Sequence, residues 1–136
     1  MARVLVVDDE KSIRNTVSEF LRMDGHEVWT AEDADAAMAL VAGHSCDVVV
    51  TDIILPRVSG VALLQWIKEQ ARDIQVILMT GEPTVDTAVE AVRAGAYEYL
   101  SKPTGKRELL AAVNQAARVK TLLDEKHQLE ADNRQY

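Results

Sequence analysis

The sequence predicts an α/β fold in which five parallel strands alternate with five helices. Three observations support this fold class. Short runs of branched apolar residues recur along the chain, segments with apolar residues every three or four positions separate them, and glycines or prolines mark many junctions. Apolar runs of this kind are typical of strands buried on both faces. Strand–helix–strand alternation implies a parallel sheet with right-handed crossovers and helices on both faces.

Each strand is predicted from an apolar run, and the third is the clearest. It is Val48–Asp52, in which three valines lead through a threonine to a carboxylate. Pro56 and Gly60 follow and indicate a loop before the next helix. The predicted strands cover residues 4–7, 28–31, 48–52, 76–79 and 97–101.

The helices are predicted from apolar spacing and from their stop signals. Ile13 and Val17 begin a helical stripe in the first helix. Gly25 and Gly95 are predicted to follow the last residues of the first and fourth helices, because glycine tolerates the left-handed conformation found there. Pro83 is predicted to lie in the first turn of the fourth helix.

Composition favours a single acidic domain that does not contact nucleic acid. The chain has 136 residues and a formal net charge of −7, divided as −9 over residues 1–101 and +2 over residues 102–136. Such an acidic body repels phosphate backbones and attracts cations. Cys46 is the only cysteine, and the N-terminus reaches acidic residues after four apolar ones. We therefore expect a cytoplasmic protein with no internal disulfide, signal peptide or membrane association.

Polar side chains end the strands that are predicted to lie side by side. Asp8 and Asp9 follow the first strand, Asp52 ends the third, Thr80 follows the fourth and Lys102 follows the fifth. Because parallel strands place their carboxyl ends at one edge, these five side chains are predicted to converge there. Asp8 or Asp9 could alternatively cap the first helix, and Thr80 and Lys102 could be ordinary turn residues.

The convergent set favours metal-assisted phosphoryl transfer over a purely structural role. Carboxylates about 4 Å apart repel each other by about 1 kcal/mol in water and by more when partly buried. A divalent cation with oxygen ligands, such as Mg²⁺, relieves that repulsion and keeps water positions open for a substrate oxygen. A carboxylate nucleophile, a metal, an ammonium and a hydroxyl are the components that phosphoryl transfer requires.

Four motifs occur in the order and spacing of a known family: VLVVDDE, VVVTDIILPRVSG, VILMTGE and YEYLSKP. With them, residues 3 to about 118 resemble the receiver domain of bacterial two-component response regulators. The resemblance implies a receiver domain over residues 1–118 with the flavodoxin-like (CheY-like) doubly wound fold and strand order 2-1-3-4-5. It also implies a sensor histidine kinase as partner, and a phosphoacceptor rather than an enzyme.

The resemblance implies a role for each residue of the site. Asp52 is the expected phosphoacceptor, and Lys102 and Thr80 are expected to hold phosphoryl oxygens. Tyr99 matches the aromatic residue whose rotamer follows Thr80. The Lys102–Pro103 peptide bond is typically cis in the family.

The resemblance likewise implies the ligands of one Mg²⁺ ion. Asp9 and Asp52 are expected to bind it directly, together with the backbone carbonyl of Ile54. Asp8 is expected to act through a water molecule.

The last helix is predicted to begin near Lys106 and to continue into a tail, residues 119–136. Val119, Leu122, Leu129 and Tyr136 fall on heptad a and d positions, with Lys126 and Asn133 as polar a residues. We expect the tail to be a helical linker that forms a coiled coil and a homodimer, with a solvated single helix as the alternative. A receiver with such a tail is similar to the N-terminal part of NtrC-type regulators. That similarity implies a downstream ATPase that activates sigma-54 RNA polymerase and a DNA-binding domain.

Other functions remain open from the sequence. The chain could be a stand-alone single-domain response regulator, or a receiver-like domain that is never phosphorylated. A small Mg²⁺-dependent aspartyl phosphatase is less favoured, because haloacid-dehalogenase-type enzymes need a carboxylate where Ile54 stands. A flavin-binding module is disfavoured, because Asp8, Asp9 and Glu10 would repel its phosphate.

Overall fold

The computed structural model describes residues 1–71 and 73–133, with side chains as far as residue 131. Its centre is one sheet of five parallel strands in the order β2-β1-β3-β4-β5, which confirms the predicted architecture. The strands are β1 (Arg3–Val7), β2 (Glu27–Ala31), β3 (Val48–Asp52), β4 (Gln75–Thr80) and β5 (Glu98–Ser101). Every residue of β3 and β4 is buried, as their apolar runs predicted.

Five helices cover the two faces of this sheet. They are α1 (Lys11–Met23), α2 (Ala34–Gly43), α3 (Gly60–Gln70), α4 (Val85–Ala94) and α5 (Lys106–Asn133). Side chains alternate along a strand, so Leu5 and Val7 pack in the core shared with α2, α3 and α4. Val4 and Val6 pack in the opposite core, shared with α1 and α5. Two helix layers therefore bury the sheet, and its strand ends remain open for a site.

Two helix ends follow the prediction and one helix start does not. Gly25 and Gly95 both have φ of +90°, as expected of residues that end a helix in the left-handed conformation. Pro83, however, lies outside α4, because Thr84 is the N-cap. The Thr84 and Thr87 side chains each accept a hydrogen bond from the other's backbone N–H, and this reciprocal cap starts the helix after Thr84.

Cys46 is buried beside the start of β3. Its Sγ donates to the carbonyl oxygen of Val48 at 3.3 Å. Burial, followed by the charge of Asp47, raises the pKa of the Cys46 thiol to about 11. The thiol therefore stays neutral at physiological pH and acts as a small core side chain.

Helix α5 is much longer than its buried part. It is 28 residues long, yet its buried residues end at Ala116. Past that point Lys120 Nζ lies 4.0 Å from Asp47 Oδ1, and His127 Nε2 lies 2.7 Å from Asp73 Oδ2. Within the described residues, none of the helices combines the length and apolar character that a membrane crossing requires.

Candidate metal and phosphoacceptor site

The carboxyl ends of the strands bring the predicted site residues together. Strand β3 pairs with both β1 and β4, with Val7 opposite Thr51 and Asp52 opposite Met79. The residues that follow or end these strands therefore share one edge of the sheet. The side chain of Lys102 extends from the end of β5 to that edge and contacts residues of both β3 and the loop after β1.

Asp52 is a buried carboxylate with a partner on each oxygen. Only 6% of the residue is exposed. Its Oδ1 accepts the backbone N–H of Ile54 at 3.1 Å, and its Oδ2 accepts Lys102 Nζ at 2.7 Å. These contacts fix the carboxylate at the strand end, with one oxygen held by a charge and the other by the backbone.

Asp8 is fully buried and is held from four directions. Its Oδ2 accepts Lys102 Nζ at 2.7 Å, and its Oδ1 accepts the backbone N–H of Glu10 at 2.9 Å. Its backbone N–H donates to Ala31, and its carbonyl accepts Arg14 Nη1 at 2.7 Å. Sequence reasoning missed Arg14, because nothing in the local pattern shows that its guanidinium returns to the preceding loop.

Neither aspartate of the first loop caps α1. The N-cap residue is Glu10, and its side chain makes no capping hydrogen bond. The alternative in which Asp8 or Asp9 is a helix cap is therefore wrong. Both carboxylates belong to the strand edge instead.

Lys102 is a partly buried cation placed between two carboxylates. Burial lowers the pKa of its ammonium, but the hydrogen bonds and charges of Asp52 and Asp8 outweigh that effect and raise the pKa above the ordinary value. A raised pKa means that the stabilisation is complete below the ordinary lysine pKa and is lost only as the pH rises through the raised one. The ion pairs are therefore intact throughout the neutral range.

Three carboxylates with one ammonium leave an excess of two negative charges. Oxygens of Asp8, Asp9 and Asp52 all lie within 4.8 Å of one another. Asp9 is exposed, whereas both carboxylate oxygens of Asp8 already accept hydrogen bonds. An all-oxygen set with this charge fits a hard divalent cation, with Asp9 as the carboxylate most accessible to it.

Of the two predicted switch residues, Thr80 contacts the segment that leads into α4 and Tyr99 contacts the first turn of α4. Thr80 is buried, and its Oγ1 accepts the backbone N–H of Glu82 at 3.0 Å. Tyr99 is half-buried, and its hydroxyl lies 2.7 Å from Thr87 Oγ1. The Lys102–Pro103 peptide bond is cis, as expected.

Two residues that follow β3 make contacts that sequence reasoning missed. Arg57 has φ of +65°, and its Nη2 lies 2.8 Å from Asp33 Oδ2 at the start of α2. The hydrogen bond from Ala36 N–H, followed by Arg57, lowers the pKa of Asp33 despite some desolvation. Gly60 donates its N–H to the carbonyl of Ile53 at 2.8 Å, and a Cβ there would overlap the carbonyl oxygen of Asp52.

The family of the chain follows from comparison with known proteins. A family model described as the response regulator receiver domain matches residues 4–114. The chain belongs to the response regulator receiver domain family. Receiver domains are phosphoacceptors of two-component systems, and they interact with sensor kinases.

The relatives include longer transcriptional regulators. The DNA-binding transcriptional regulator NtrC of Azospirillum brasilense is 37% identical over 115 residues, 85% of this chain and 24% of that protein. The C4-dicarboxylate transport transcriptional regulatory protein DctD of Pseudomonas aeruginosa is 37% identical over 127 residues, 93% of this chain and 28% of that protein. The crystal structure of NtrX from Brucella abortus in complex with ADP matches with a TM-score of 0.87 at 38% identity, covering 94% of this chain and 30% of that chain. This chain therefore spans less than a third of each.

Substitution of Gly60 tests how closely α3 must approach β3. The Gly60→Ala change should destabilise the domain by about 1–3 kcal/mol, because its Cβ would displace the backbone of Asp52. Urea unfolding measures the change. Gly43→Ala is the matched control, because an added Cβ there meets nothing within 4 Å. Equal stability of the two variants would contradict this account of Gly60.

Proposed function

We propose that Asp52 accepts a phosphoryl group from a phosphohistidine of a sensor histidine kinase, or from a small phosphodonor. The observation that carries the proposal is the position of Lys102 Nζ, 2.7 Å from oxygens of both Asp8 and Asp52. This cation pairs with the buried carboxylate of Asp52 and lies where charge develops on the transferred group. Thr80 offers a hydroxyl at the neighbouring strand end.

The transfer is a displacement at phosphorus. A carboxylate oxygen of Asp52 forms the new P–O bond, the P–N bond to the imidazole breaks, and the ring nitrogen keeps the electron pair. The chain supplies the nucleophile and the positive charge of Lys102, so a small phosphodonor is sufficient and the chemistry is self-catalysed. A second carboxylate that could act as a general acid is missing at Ile54, which argues against the phosphatase alternative.

Asp9, Asp52 and the backbone carbonyl of Ile54 would hold Mg²⁺, with Asp8 acting through water. Bound there, the ion would neutralise charge on the phosphoryl oxygens. The support for this assignment is the three-carboxylate cluster and its uncompensated charge. Asp8 is suited to an indirect role, because it is fully buried whereas Asp9 is exposed.

Phosphorylation with acetyl phosphate tests the assignment of Asp52. The wild-type chain should gain the mass of one phosphoryl group with Mg²⁺ present and none with excess chelator. Asp52→Ala should gain none under either condition, because Asp8, the other carboxylate of the cluster that pairs with Lys102, is fully buried, and Asp9 makes no such pair within the described residues. Intact-mass spectrometry is the measurement. An undiminished mass gain in Asp52→Ala would remove Asp52 from this role.

Ile54 is proposed to prolong the life of the phosphorylated state. Its side chain is 58% exposed, and its backbone N–H contacts Asp52. An aliphatic side chain at this point shields the phosphorus and cannot orient an attacking water by hydrogen bonding. We therefore expect loss of the phosphoryl group over minutes or longer.

The Ile54→Asn variant tests that proposal. It should lose the phosphoryl group about fivefold faster, since one hydrogen bond that orients water is worth about 1 kcal/mol. The decay of the phosphorylated mass after removal of acetyl phosphate gives the rate. Ile54→Leu is the control and should keep the slow decay. A rate for Ile54→Asn equal to or below that of wild type would contradict the account.

Thr80 and Tyr99 are proposed to transmit phosphorylation to the surface. The phosphoryl group adds about two negative charges beside Lys102 and draws the hydroxyl of Thr80 toward it. That movement gives Tyr99 room to turn inward, and the surface formed by α4 and β5 changes. The result is a shift between two states that exist without phosphorylation.

We further propose that residues 119–136 link the receiver, residues 1–118, to an output domain. The tail lies beyond the last buried residue of α5, Ala116, and beyond the residues that the family model matches. NtrC and DctD are named as transcriptional regulators, and NtrX is described in complex with ADP. These names support a sigma-54-dependent activator with an ATPase and a DNA-binding domain. A stand-alone regulator is the alternative, and a cytoplasmic location stays a prediction.

The tail is proposed to form a homodimer. Leu122 and Leu129 are seven residues apart on the same face of α5, and they are 58% and 64% exposed. Lys126 lies between them, while the side chain of Asn133 and all of Tyr136 lie outside the described residues. Two or three heptads with polar a positions pair weakly, so the receiver surface should contribute to the dimer.

Sedimentation tests the dimer. The chain should associate, and beryllofluoride with Mg²⁺ should change its association constant. Truncation after Arg118, or the double change Leu122→Lys with Leu129→Lys, should weaken association. Met23→Lys is the matched control, because Met23 is equally exposed but lies on α1. A monomer under every condition would rule out this proposal.

A further inference from the structure

The hydroxyl of Tyr99 is tied directly to the first turn of α4. Its oxygen lies 2.7 Å from Thr87 Oγ1. Thr87 Oγ1 also accepts the backbone N–H of Thr84 at 3.1 Å and donates to the carbonyl oxygen of Thr84 at 3.0 Å. The hydrogen bond between the Thr87 and Tyr99 hydroxyls exists whichever of the two oxygens is the donor. One hydroxyl therefore belongs both to the cap of α4 and to the environment of Tyr99.

Thr80 holds the start of the connection between β4 and α4. Its Oγ1 accepts the backbone N–H of Glu82 at 3.0 Å. Residues 81–84, which join β4 to α4, are therefore held at one end by Thr80 and connected at the other to Tyr99 through Thr87. Of the two side chains proposed to respond to phosphorylation, Thr80 thus contacts this connection directly and Tyr99 is linked to its other end through Thr87.

We propose that Thr87 is a positioning residue that sets the resting balance of the Tyr99 switch. The inference rests on the proposed role of Thr80 and Tyr99. Turning Tyr99 toward Thr80 breaks its bond to Thr87, so this bond stabilises the resting state alone. Its loss also removes one contact from the start of α4, where Val85 and Val89 are exposed. The bond of Thr87 to Tyr99 therefore opposes activation. When the bond breaks, the change in Tyr99 is transmitted through Thr87 to the surface of α4.

The binding of beryllofluoride in the presence of Mg²⁺ tests the inference on the whole chain. A ligand that binds only the activated state has an apparent affinity reduced by the small population of that state. Thr87→Val keeps the shape of the side chain and removes the hydroxyl. It should therefore tighten beryllofluoride binding about fivefold, which corresponds to about 1 kcal/mol for one hydrogen bond.

Two further variants separate the switch from simple weakening of the helix cap. Thr87→Ser keeps the hydroxyl and should bind beryllofluoride as wild type does. In a Tyr99→Phe background the bond is already absent, so adding Thr87→Val should produce no further change in affinity. Thr87→Val loses the same cap hydrogen bonds in the wild-type and Tyr99→Phe backgrounds. The loss of thermal stability in both backgrounds therefore measures the weakening of the cap separately from beryllofluoride affinity.

The outcomes are distinct. Tighter binding in Thr87→Val alone, with wild-type affinity in Thr87→Ser, supports the inference. Unchanged or weaker binding in Thr87→Val overturns it, as does an equal gain in the Tyr99→Phe background, which would place the effect in the cap of α4. If the wild-type chain does not bind beryllofluoride with Mg²⁺ at all, the proposed phosphoacceptor function itself fails.

Discussion

The ammonium of Lys102, placed between the carboxylates of Asp8 and Asp52, is the contact on which the site depends. Asp8 is fully buried, and removing the ammonium that pairs with its carboxylate would leave that buried carboxylate without its ion pair. Breaking a buried pair in this way costs several kcal/mol, although the intact pair contributes little net stability. Lys102 lies 50 positions from Asp52 and 94 positions from Asp8 in the sequence, so the contact forms only when the whole sheet is assembled. Site and fold are therefore coupled through one side chain.

The topology of the sheet explains why these residues meet. The order β2-β1-β3-β4-β5 places β1 and β3 side by side. From β1 the chain adds β2 on one side, and it then adds β3, β4 and β5 on the other side. Helices α1 and α3, which follow β1 and β3, lie on opposite faces of the sheet, and the strand edge between their starts remains open. The loop after β1 supplies Asp8 and Asp9, and the end of β3 supplies Asp52. The acidic cluster is thus a consequence of the strand order.

The helices differ in how much of their surface is buried against the sheet, and this difference bears on signalling. Helix α3 buries five residues, and its first residue, Gly60, lies against the backbone of Asp52. Helix α4 buries only Ala91, and its start is held by hydroxyl contacts rather than by apolar packing. Elements with few buried apolar contacts open or shift at lower free energy than the core does. A change at the strand ends is therefore expressed through α4 more readily than through α3.

Local pattern in the sequence was enough to predict the elements, the strand edge and the set of side chains at that edge. Apolar runs such as Val48–Asp52 and the glycines at helix ends depend on neighbours a few positions away, and the resemblance to receiver domains supplied the strand order and the cis peptide bond. Contacts between distant elements were decided by the tertiary structure. Arg57 pairs with Asp33 at the start of α2, Gly60 is required because α3 approaches β3, and Tyr99 of β5 bonds to Thr87 of α4. Each of these depends on which atoms a separate segment presents, and such information arises only when the chain has folded.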